Sequence, residues 1–328
     1  MNILAIESSC DDTSASVLTD EGIRSNIIAS QSIHLQFGGV VPELASRAHQ
    51  KTITQTVQQA LEEGKVSLDD IEAIAVTQGP GLLGSLLVGI CFAKGLALSR
   101  DIPLIGVNHV DAHIYASFID HQPEFPLVAL TVSGGHTQLV HVKSPFEHEI
   151  IGKTRDDAAG EAFDKIGKLL GLPYPAGPHM DKLAKDGDSQ FHKFPQALLQ
   201  EGLDFSFSGL KTSALYYLQD KEDEWIQEHL NDICASVSFA IAEVLVKKLK
   251  RAVKQTGVKT VLLAGGVSAN SMLRETSEKM AKELGVQLFS PKISYCTDNA
   301  AMIAITGKMK ADLGQFDDLD MVPFSSLS

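Results

Sequence analysis

Two histidines four residues apart stand in the segment NHVDAH, residues 108–113. The apolar run before it, IPLIGV, is typical of a buried strand, so we expect a helix to begin near His109. Helical residues four apart share one face, which brings the imidazoles of His109 and His113 together. A carboxylate would complete the two-histidine, one-carboxylate ligand set known for Fe(II), and Asp298 is the candidate. Asp298 also precedes an apolar helical run, so a helix N-cap is the simpler interpretation of that residue.

The spacing of the histidines also occurs in the HExxH pattern of zinc proteases, where a glutamate follows the first histidine and acts as general base. In this chain Val110 follows His109, and the nearest carboxylate is the shorter Asp111. A metallo-endopeptidase needs a base beside a metal-bound water. The pattern therefore fits a metal site that lacks the glutamate base of a protease. A metallo-endopeptidase stays an alternative.

Three segments with hydroxyl side chains, two of which also contain paired glycines, stand where apolar strands end. They are AIESSCDDTSASV (5–17), TVSGGHTQLV (131–140) and LLAGGVSANSMLR (262–274). Glycine lets a backbone approach a ligand closely, and backbone N–H groups with hydroxyls can hold an anion such as phosphate. The N-terminus of a helix that starts at Ser268 or Asn270 likewise favours the binding of adenosine or phosphate. Ordinary turns and loops are the simpler interpretation of each segment taken alone.

Carboxylates recur in residues 154–184. Asp156 or Asp157 is expected to cap a helix, Asp164 lies on that helix, and Asp181 opens the next apolar stretch. Near a nucleotide, such groups accept hydrogen bonds from ribose hydroxyls or hold a metal ion. Taken alone, the segment is more typical of a capped helix with a solvated face.

The elements that must position these residues follow a repeated order. Three strands, a helix, a strand and a glycine turn that opens a helix occur in residues 3–84 and again in residues 127–270, with extra helical material over about 155–225. This order predicts the duplicated, two-lobe α/β fold of the actin, sugar-kinase and Hsp70 group, with a helical insertion in the second lobe. We expect an N-terminal lobe over 1–108, a C-terminal lobe over 109–299, and a last helix in 300–328 that packs on the first lobe.

Composition narrows the class of protein. The chain has 328 residues, 44% of them hydrophobic, and a net charge of −13, which argues against broad nucleic-acid binding through a positive field. Its four cysteines form no CxxC pair, which favours reduced thiols. The N-terminus lacks the basic start of a signal peptide, and the apolar run 82–98, interrupted by glycines and a lysine, predicts a buried helix rather than a membrane span. A cytoplasmic protein is expected.

Nine motifs in order closely resemble the tRNA N6-adenosine threonylcarbamoyltransferases, the bacterial TsaD family once labelled glycoprotein endopeptidases. The resemblance runs from about residue 3 to 306 and rests on SSCDDT, GGVVPELASRAH, GPGLLGSLLVG, NHVDAH, VSGGHTQLV, DDAAGEAFDK, DFSFSGLKT, AGGVSAN and CTDNAAMIA. It implies the two-lobe fold, with nucleotide bound between the lobes. It also implies transfer of a threonylcarbamoyl group from threonylcarbamoyl-AMP to N6 of adenosine 37, in tRNAs that read codons starting with A.

The resemblance also implies a site. His109, His113 and Asp298 match metal ligands, with one Fe(II) per subunit and zinc as the alternative. A larger set matches positions that contact the adenylate or ATP, with Mg(II) as a further ion: Thr131, Val132, Ser133, Gly134, Gly135, Asp164, Gly177, Asp181 and Asn270. The implied partners are tRNA, a paralogous two-lobe TsaB-like subunit without the metal site, and a small TsaE-like ATPase.

One departure concerns SSCDDT, where the family pattern has SSCDET. Asp12 is one methylene shorter than the expected glutamate, and it is a further candidate for the catalytic site. Two other functions fit the fold. A small-molecule kinase or ATPase would not need the His-His-Asp set, and a non-catalytic nucleotide-binding scaffold would keep its function without His109.

Overall fold

The computed structural model describes residues 1–31 and 39–325. The chain divides into two compact units. Unit 1 comprises residues 1–121 and 291–328, and unit 2 comprises residues 122–290. The lobes expected from the sequence had their boundaries at 108/109 and 299/300. The observed division places the NHVDAH segment and Asp298 in the same unit, because the helix that begins at His109 packs against the helix that follows Asp298.

The described residues include ten strands and ten α-helices. The strands are β1 (Ile3–Glu7), β2 (Asp12–Thr19), β3 (Gly22–Ser30), β4 (Ala73–Gly79), β5 (Leu104–Asn108), β6 (Leu127–Val132), β7 (Thr137–Ser144), β8 (Glu147–Lys153), β9 (Thr260–Ala264) and β10 (Gln287–Phe289). The helices are α1 (Pro42–Gly64), α2 (Leu83–Arg100), α3 (His109–Tyr115), α4 (Ala159–Leu169), α5 (Ala176–Ala184), α6 (Ser208–Leu218), α7 (Asp223–Glu228), α8 (Leu230–Thr256), α9 (Ser271–Leu284) and α10 (Ala300–Asp312).

The two units contain sheets of the same topology. In unit 1 the order is β3-β2-β1-β4-β5, with β1 antiparallel to β2 and parallel to β4. In unit 2 the corresponding order is β8-β7-β6-β9-β10, with β6 antiparallel to β7 and parallel to β9. Three strands joined by tight turns, followed by crossover connections to two parallel strands, therefore occur twice. The duplicated α/β fold predicted from the sequence is confirmed.

The central strands are apolar because both faces of each sheet are covered. Strand β1 reads ILAIE and is buried along its whole length, including its last residue, Glu7. On one face, β1 packs with α1 and α2 around Leu4 and Ile6. On the other face, Ile3 and Ala5 pack against Met302 and Ile303 of α10. Helix α10 thus fixes the residues at its start relative to the end of β1.

Helix α2 is the one described helix whose length and apolar composition would suffice to cross a membrane. Leu86, Ile90 and Ala93 are buried in the core of unit 1. Leu83 and Leu98 are 51% and 69% exposed. The buried helix predicted over 82–98 is therefore observed on one face only, because no element of unit 1 among the described residues covers the other.

Candidate functional site

The NHVDAH segment forms the start of α3, as its sequence predicts. Asn108 ends β5 and caps the helix, since its Oδ1 accepts hydrogen bonds from the N–H groups of Val110 and Asp111. The rings of His109 and His113 lie on one face with their centroids 4.8 Å apart. His113 is buried, and the side chain of His109 is 12% exposed.

Asp298 lies beside both histidines. Its Oδ1 is 3.2 Å from Nε2 of His113 and 3.5 Å from Nε2 of His109. The helix cap expected of Asp298 is instead made by Asn299, whose Oδ1 accepts from the N–H of Met302. Asp298 is therefore left to face the histidines, and α10 brings it there by packing on β1 and α3.

Two imidazoles and one carboxylate suit a divalent transition-metal ion. One atom from each of His109, His113 and Asp298 lies within 4.8 Å of the others. Ligands bound to one ion at about 2.0–2.2 Å are separated by about 3–4 Å, so small side-chain rotations would close the set. Nδ1 of His113 is buried and has no hydrogen-bond partner among the described residues, so Nε2 carries the polar contact of that ring. The donor chemistry of these residues fits a metal ion.

Glu7 adds a second carboxylate beside His109. Nδ1 of His109 lies 3.2 Å from Oε2 of Glu7 and 3.2 Å from Oγ of Ser9. Burial alone would raise the pKa of Glu7, but the charge and hydrogen bond of His109 outweigh it and hold that pKa below its ordinary value. Burial alone would lower the pKa of His109, but the carboxylates of Asp298 and Glu7 raise it to about 9. Without a metal ion, His109 is protonated at neutral pH.

Asp12, the further catalytic candidate, is the first residue of β2 and directly follows the β1–β2 turn. Burial raises the pKa of Asp12 to about 6 against the opposing hydrogen bond of Ser30, with smaller contributions from the charges of Asp11 and Asp298. The turn is held from α1 by His49, which is fully buried. Nε2 of His49 donates to the carbonyl of Cys10 at 3.0 Å, so its Nδ1 accepts from the Thr13 hydroxyl at 2.7 Å. In the motif GGVVPELASRAH, His49 is thus a structural support for the turn; Gly38 lies outside the described residues.

The glycine turn after β4 approaches the same place. The N–H of Leu82 donates to the carbonyl of Ser9 at 2.7 Å. A Cβ added at Gly81 would meet Ser9 at 2.5 Å from its carbonyl oxygen and 2.9 Å from its Cβ, so only glycine lets the two turns come this close. The motif GPGLLG therefore supports the β1–β2 turn.

In unit 2, the glycine turn after β6 offers open backbone. The segment Thr131–Gly135 includes the end of β6, and a Cβ added at Gly134 or Gly135 would meet no described atom within 4 Å. The hydroxyl of Thr131 is buried, as is that of Ser268 in the loop after β9, and neither has a hydrogen-bond partner among the described residues. Buried hydroxyls without partners are uncommon and mark places where a ligand can bond.

Three polar residues of the predicted adenylate set are held at helix starts in unit 2. Asp164 accepts from the N–H of Ala176 at 2.7 Å, at the beginning of α5, and burial raises its pKa. Asp181 accepts from the N–H and the hydroxyl of Ser271, both at 2.8 Å, and Asn270 caps the same helix, α9. The positions of these side chains are therefore fixed by contacts with helix starts.

Asp156 has a different role from the one expected. It accepts from the N–H groups of Phe207 and Ser208 and from the hydroxyls of Ser206 and Ser208. It thus caps α6, which lies far along the chain, and α4 begins without a side-chain cap. Glu7 belongs to the segment 5–17 identified from the sequence, but no role of its own was predicted for it, although a glutamate at the end of an otherwise apolar strand indicates a buried functional carboxylate.

Comparison with known proteins identifies the family. The family model described as "TsaD: tRNA N6-adenosine threonylcarbamoyltransferase" matches residues 22–305. Proteins named tRNA N6-adenosine threonylcarbamoyltransferase from Christiangramia forsetii and Riemerella anatipestifer are each 52% identical to the chain. The first alignment covers 96% of this chain and 96% of the relative, and the second covers 97% and 95%.

Solved structures of low sequence identity share the fold. Component A of the (R)-2-hydroxyglutaryl-CoA dehydratase of Acidaminococcus fermentans has a TM-score of 0.58 at 14% identity, with 95% of this chain and 99% of that chain covered. Full-length HypF has a TM-score of 0.63 at 13% identity, with 95% of this chain and 46% of that chain covered. The family match favours neither the kinase nor the protease alternative. The chain belongs to the TsaD family of tRNA N6-adenosine threonylcarbamoyltransferases and is a transferase with tRNA as its substrate.

Proposed function

We propose that this transferase moves the threonylcarbamoyl group of threonylcarbamoyl-AMP to N6 of adenosine 37 in tRNAs that read codons starting with A. The observation that carries the proposal is the approach of His109, His113 and Asp298 within 4.8 Å in a chain of this family. In the reaction, N6 bonds to the carbamoyl carbon and the bond from that carbon to the phosphate oxygen breaks. AMP leaves, and one N6 proton passes to solvent.

No nucleophilic side chain is needed, because the donor is a mixed carbamic–phosphoric anhydride and AMP is a good leaving group. The adenine amine is a weak nucleophile, so the protein must position the reactants and stabilise developing charge. We assign the metal site to one Fe(II), with zinc as the alternative, held by His109, His113 and Asp298. Such an ion supplies Lewis acidity and a template for orientation.

We assign the adenylate to unit 2. The backbone amides of Thr131–Gly135 are suited to phosphate oxygens, and Gly177 presents open space, since a Cβ there would meet only Phe163 at 3.9 Å. Asp164, Asp181 and Asn270 are suited to ribose hydroxyls and the adenine edge. This site would take the donor or ATP, with Mg(II) where a triphosphate is bound.

The acidic chain supports a need for partners that supply part of the tRNA-binding surface, because its net charge of −13 opposes binding to a polyanion. We propose a paralogous two-lobe TsaB-like subunit and a small TsaE-like ATPase in this role. The substrate and partners also lead us to propose a cytoplasmic location.

The test is a nucleoside assay by mass spectrometry. Unmodified tRNA with adenosine at position 37 is incubated with threonylcarbamoyl-AMP and an extract depleted of this protein, which keeps the partners present. Wild type is expected to form the modified adenosine, and His109→Ala/His113→Ala is expected to form none. His148→Ala, which alters an exposed histidine of β8, is the matched control and should act as wild type.

Two outcomes would contradict the proposal in different places. Equal product from wild type and the double variant would overturn the role of the histidines. Absence of product with wild type, in an extract that responds to another TsaD protein, would overturn the transfer itself.

A further inference from the structure

Glu7 occupies an unusual place for a carboxylate. Among the described residues it is the one acidic side chain that is completely buried, at the end of β1. The N–H of Ser9 donates to its Oε1 at 2.5 Å, and the hydroxyl of Thr77 donates to its Oε2 at 2.5 Å. The third contact is Nδ1 of His109, 3.2 Å from Oε2. Burying a charge is costly unless it is paired and hydrogen-bonded, so this arrangement is maintained against an unfavourable desolvation energy.

The contacts of Glu7 determine which nitrogen of His109 carries a proton. An ionised carboxylate only accepts hydrogen bonds, so Nδ1 of His109 must donate to it. The ring then presents Nε2 on its other side, 3.5 Å from Oδ1 of Asp298. Once the second proton is displaced, the Nε2 lone pair is the one available to a metal ion.

We propose that Glu7 is the positioning residue of the metal site: its carboxylate holds His109 in the Nδ1–H tautomer and fixes the ring so that Nε2 points at the ion. The inference rests on the metal site assigned under the proposed function. Carboxylates that bond to a ligand histidine in this way orient the ring and raise the basicity of the ligating nitrogen. Thr77 and Ser9 in turn fix the carboxylate.

The two ligand histidines are therefore held differently. Nδ1 of His113 is buried without a hydrogen-bond partner among the described residues, so packing around α3 and the contact of Nε2 with Asp298 orient that ring, with no bond on its Nδ1 side. His109 is more exposed and sits at the first position of α3, where packing restrains it less. A hydrogen bond to Glu7 supplies the restraint that position lacks.

A purely structural role would have a different signature. Glu7 joins β1 to β4 through Thr77, and loss of that link alone would lower stability without altering metal binding. Ser16→Ala provides the matched control, because the Ser16 hydroxyl is also buried in the same sheet and donates to the Ser25 carbonyl at 2.7 Å, away from the histidines.

The first test uses the wild-type chain loaded with Zn(II), which is diamagnetic, and records imidazole nitrogen NMR spectra. The proposal predicts that His109 has a protonated Nδ1 and a metal-bound Nε2. The opposite tautomer, or a Nδ1 that exchanges as freely as in an exposed histidine, would overturn it. This test needs no variant and stands even if Glu7→Gln does not fold.

The second test compares dissociation constants for Zn(II) and Co(II), measured by competition with a chelator. Glu7→Gln keeps the shape of the side chain but loses its charge, and we expect binding about 10- to 100-fold weaker than wild type, with an altered Co(II) visible spectrum. Ser16→Ala should bind both ions as tightly as wild type does, even if its melting temperature falls as much as that of Glu7→Gln. Equal affinity for Glu7→Gln and wild type would overturn the positioning role and leave the metal site intact. Failure of the wild type itself to bind either ion would instead overturn the metal site.

Discussion

Oδ1 of Asp298 lies 3.2 Å from Nε2 of His113, although the two residues are 185 positions apart in the chain. Helix α10 bridges that separation. Its residues Met302 and Ile303 pack with Ala112 of α3 in one apolar cluster. The cap formed by Asn299 sets where α10 begins, and so places Asp298 immediately outside the helix. The ligand set thus depends on the packing of a C-terminal helix on the first strand of the chain.

The pKa of His109 predicts a pH dependence for metal binding. In the metal-free protein this pKa is about 9, so an ion must displace a proton from His109 at neutral pH. As the pH increases towards 9, the apparent affinity should rise about tenfold per pH unit, and approximately one proton should be released for each ion bound. Calorimetry in buffers of different ionisation enthalpy measures the released protons. Affinity that stays constant between about pH 6.5 and 8.5 would contradict the assigned charge.

The raised pKa of Asp12 predicts a stability effect of the opposite kind from a salt-bridged carboxylate. Its pKa is about 6 in the folded protein and near 3.8 when exposed, so the folded state binds the proton more tightly. Stability associated with this group is present below about pH 4 and is lost as the pH rises through about 6. In protein freed of metal by a chelator, Asp12→Asn should therefore raise the free energy of unfolding by about 2 kcal/mol at neutral pH and by little at about pH 4. Thermal unfolding of both proteins at the two pH values measures the difference. An equal effect at both would show that Asp12 is not held in a protonating environment.

Variants of two carboxylates in unit 2 distinguish a role in helix capping from a role in ligand binding. Asp156 and Asp164 both accept bonds from backbone N–H groups at helix starts, but only Asp164 belongs to the proposed adenylate set. Asp156→Ala should lower stability by about 1–2 kcal/mol and leave the affinity for a non-hydrolysable adenylate analogue unchanged. Asp164→Ala should weaken that affinity at least about tenfold. Calorimetric titration with the analogue measures both, and equal affinities for the two variants would argue against an adenylate contact at Asp164.

The sequence predicted local elements well because their signals are local. The order predicted for residues 3–84 is observed, with three strands, helix α1, strand β4 and a glycine turn that opens α2. The two histidines were placed on one helical face by spacing alone. Alternating burial, tight turns and helical period are properties of neighbouring residues, and they needed no knowledge of the fold.

Contacts between residues far apart in the chain could not be predicted from such local patterns. Whether Asp298 caps α10 or faces a metal site depends on Asn299 taking the cap, and the capping of α6 by Asp156 joins residues about fifty positions apart. The buried carboxylate of Glu7 depends on donors from β4 and α3, which sequence distance does not reveal. The exposed apolar face of α2 shows the same limit, since a run of apolar residues does not specify which of its faces another element covers.

The most direct test of the account is an anaerobic titration with Fe(II) of the chain from which metal has been removed by a chelator. The account predicts one tightly bound ion per chain in wild type, and loss of that site in both His113→Ala and Asp298→Ala. Asp312→Ala, which alters an exposed carboxylate of α10 paired with Lys308, should retain the ion. Binding of one ion by the Asp298→Ala and His113→Ala variants with unchanged affinity would contradict the assignment of these residues as the metal site.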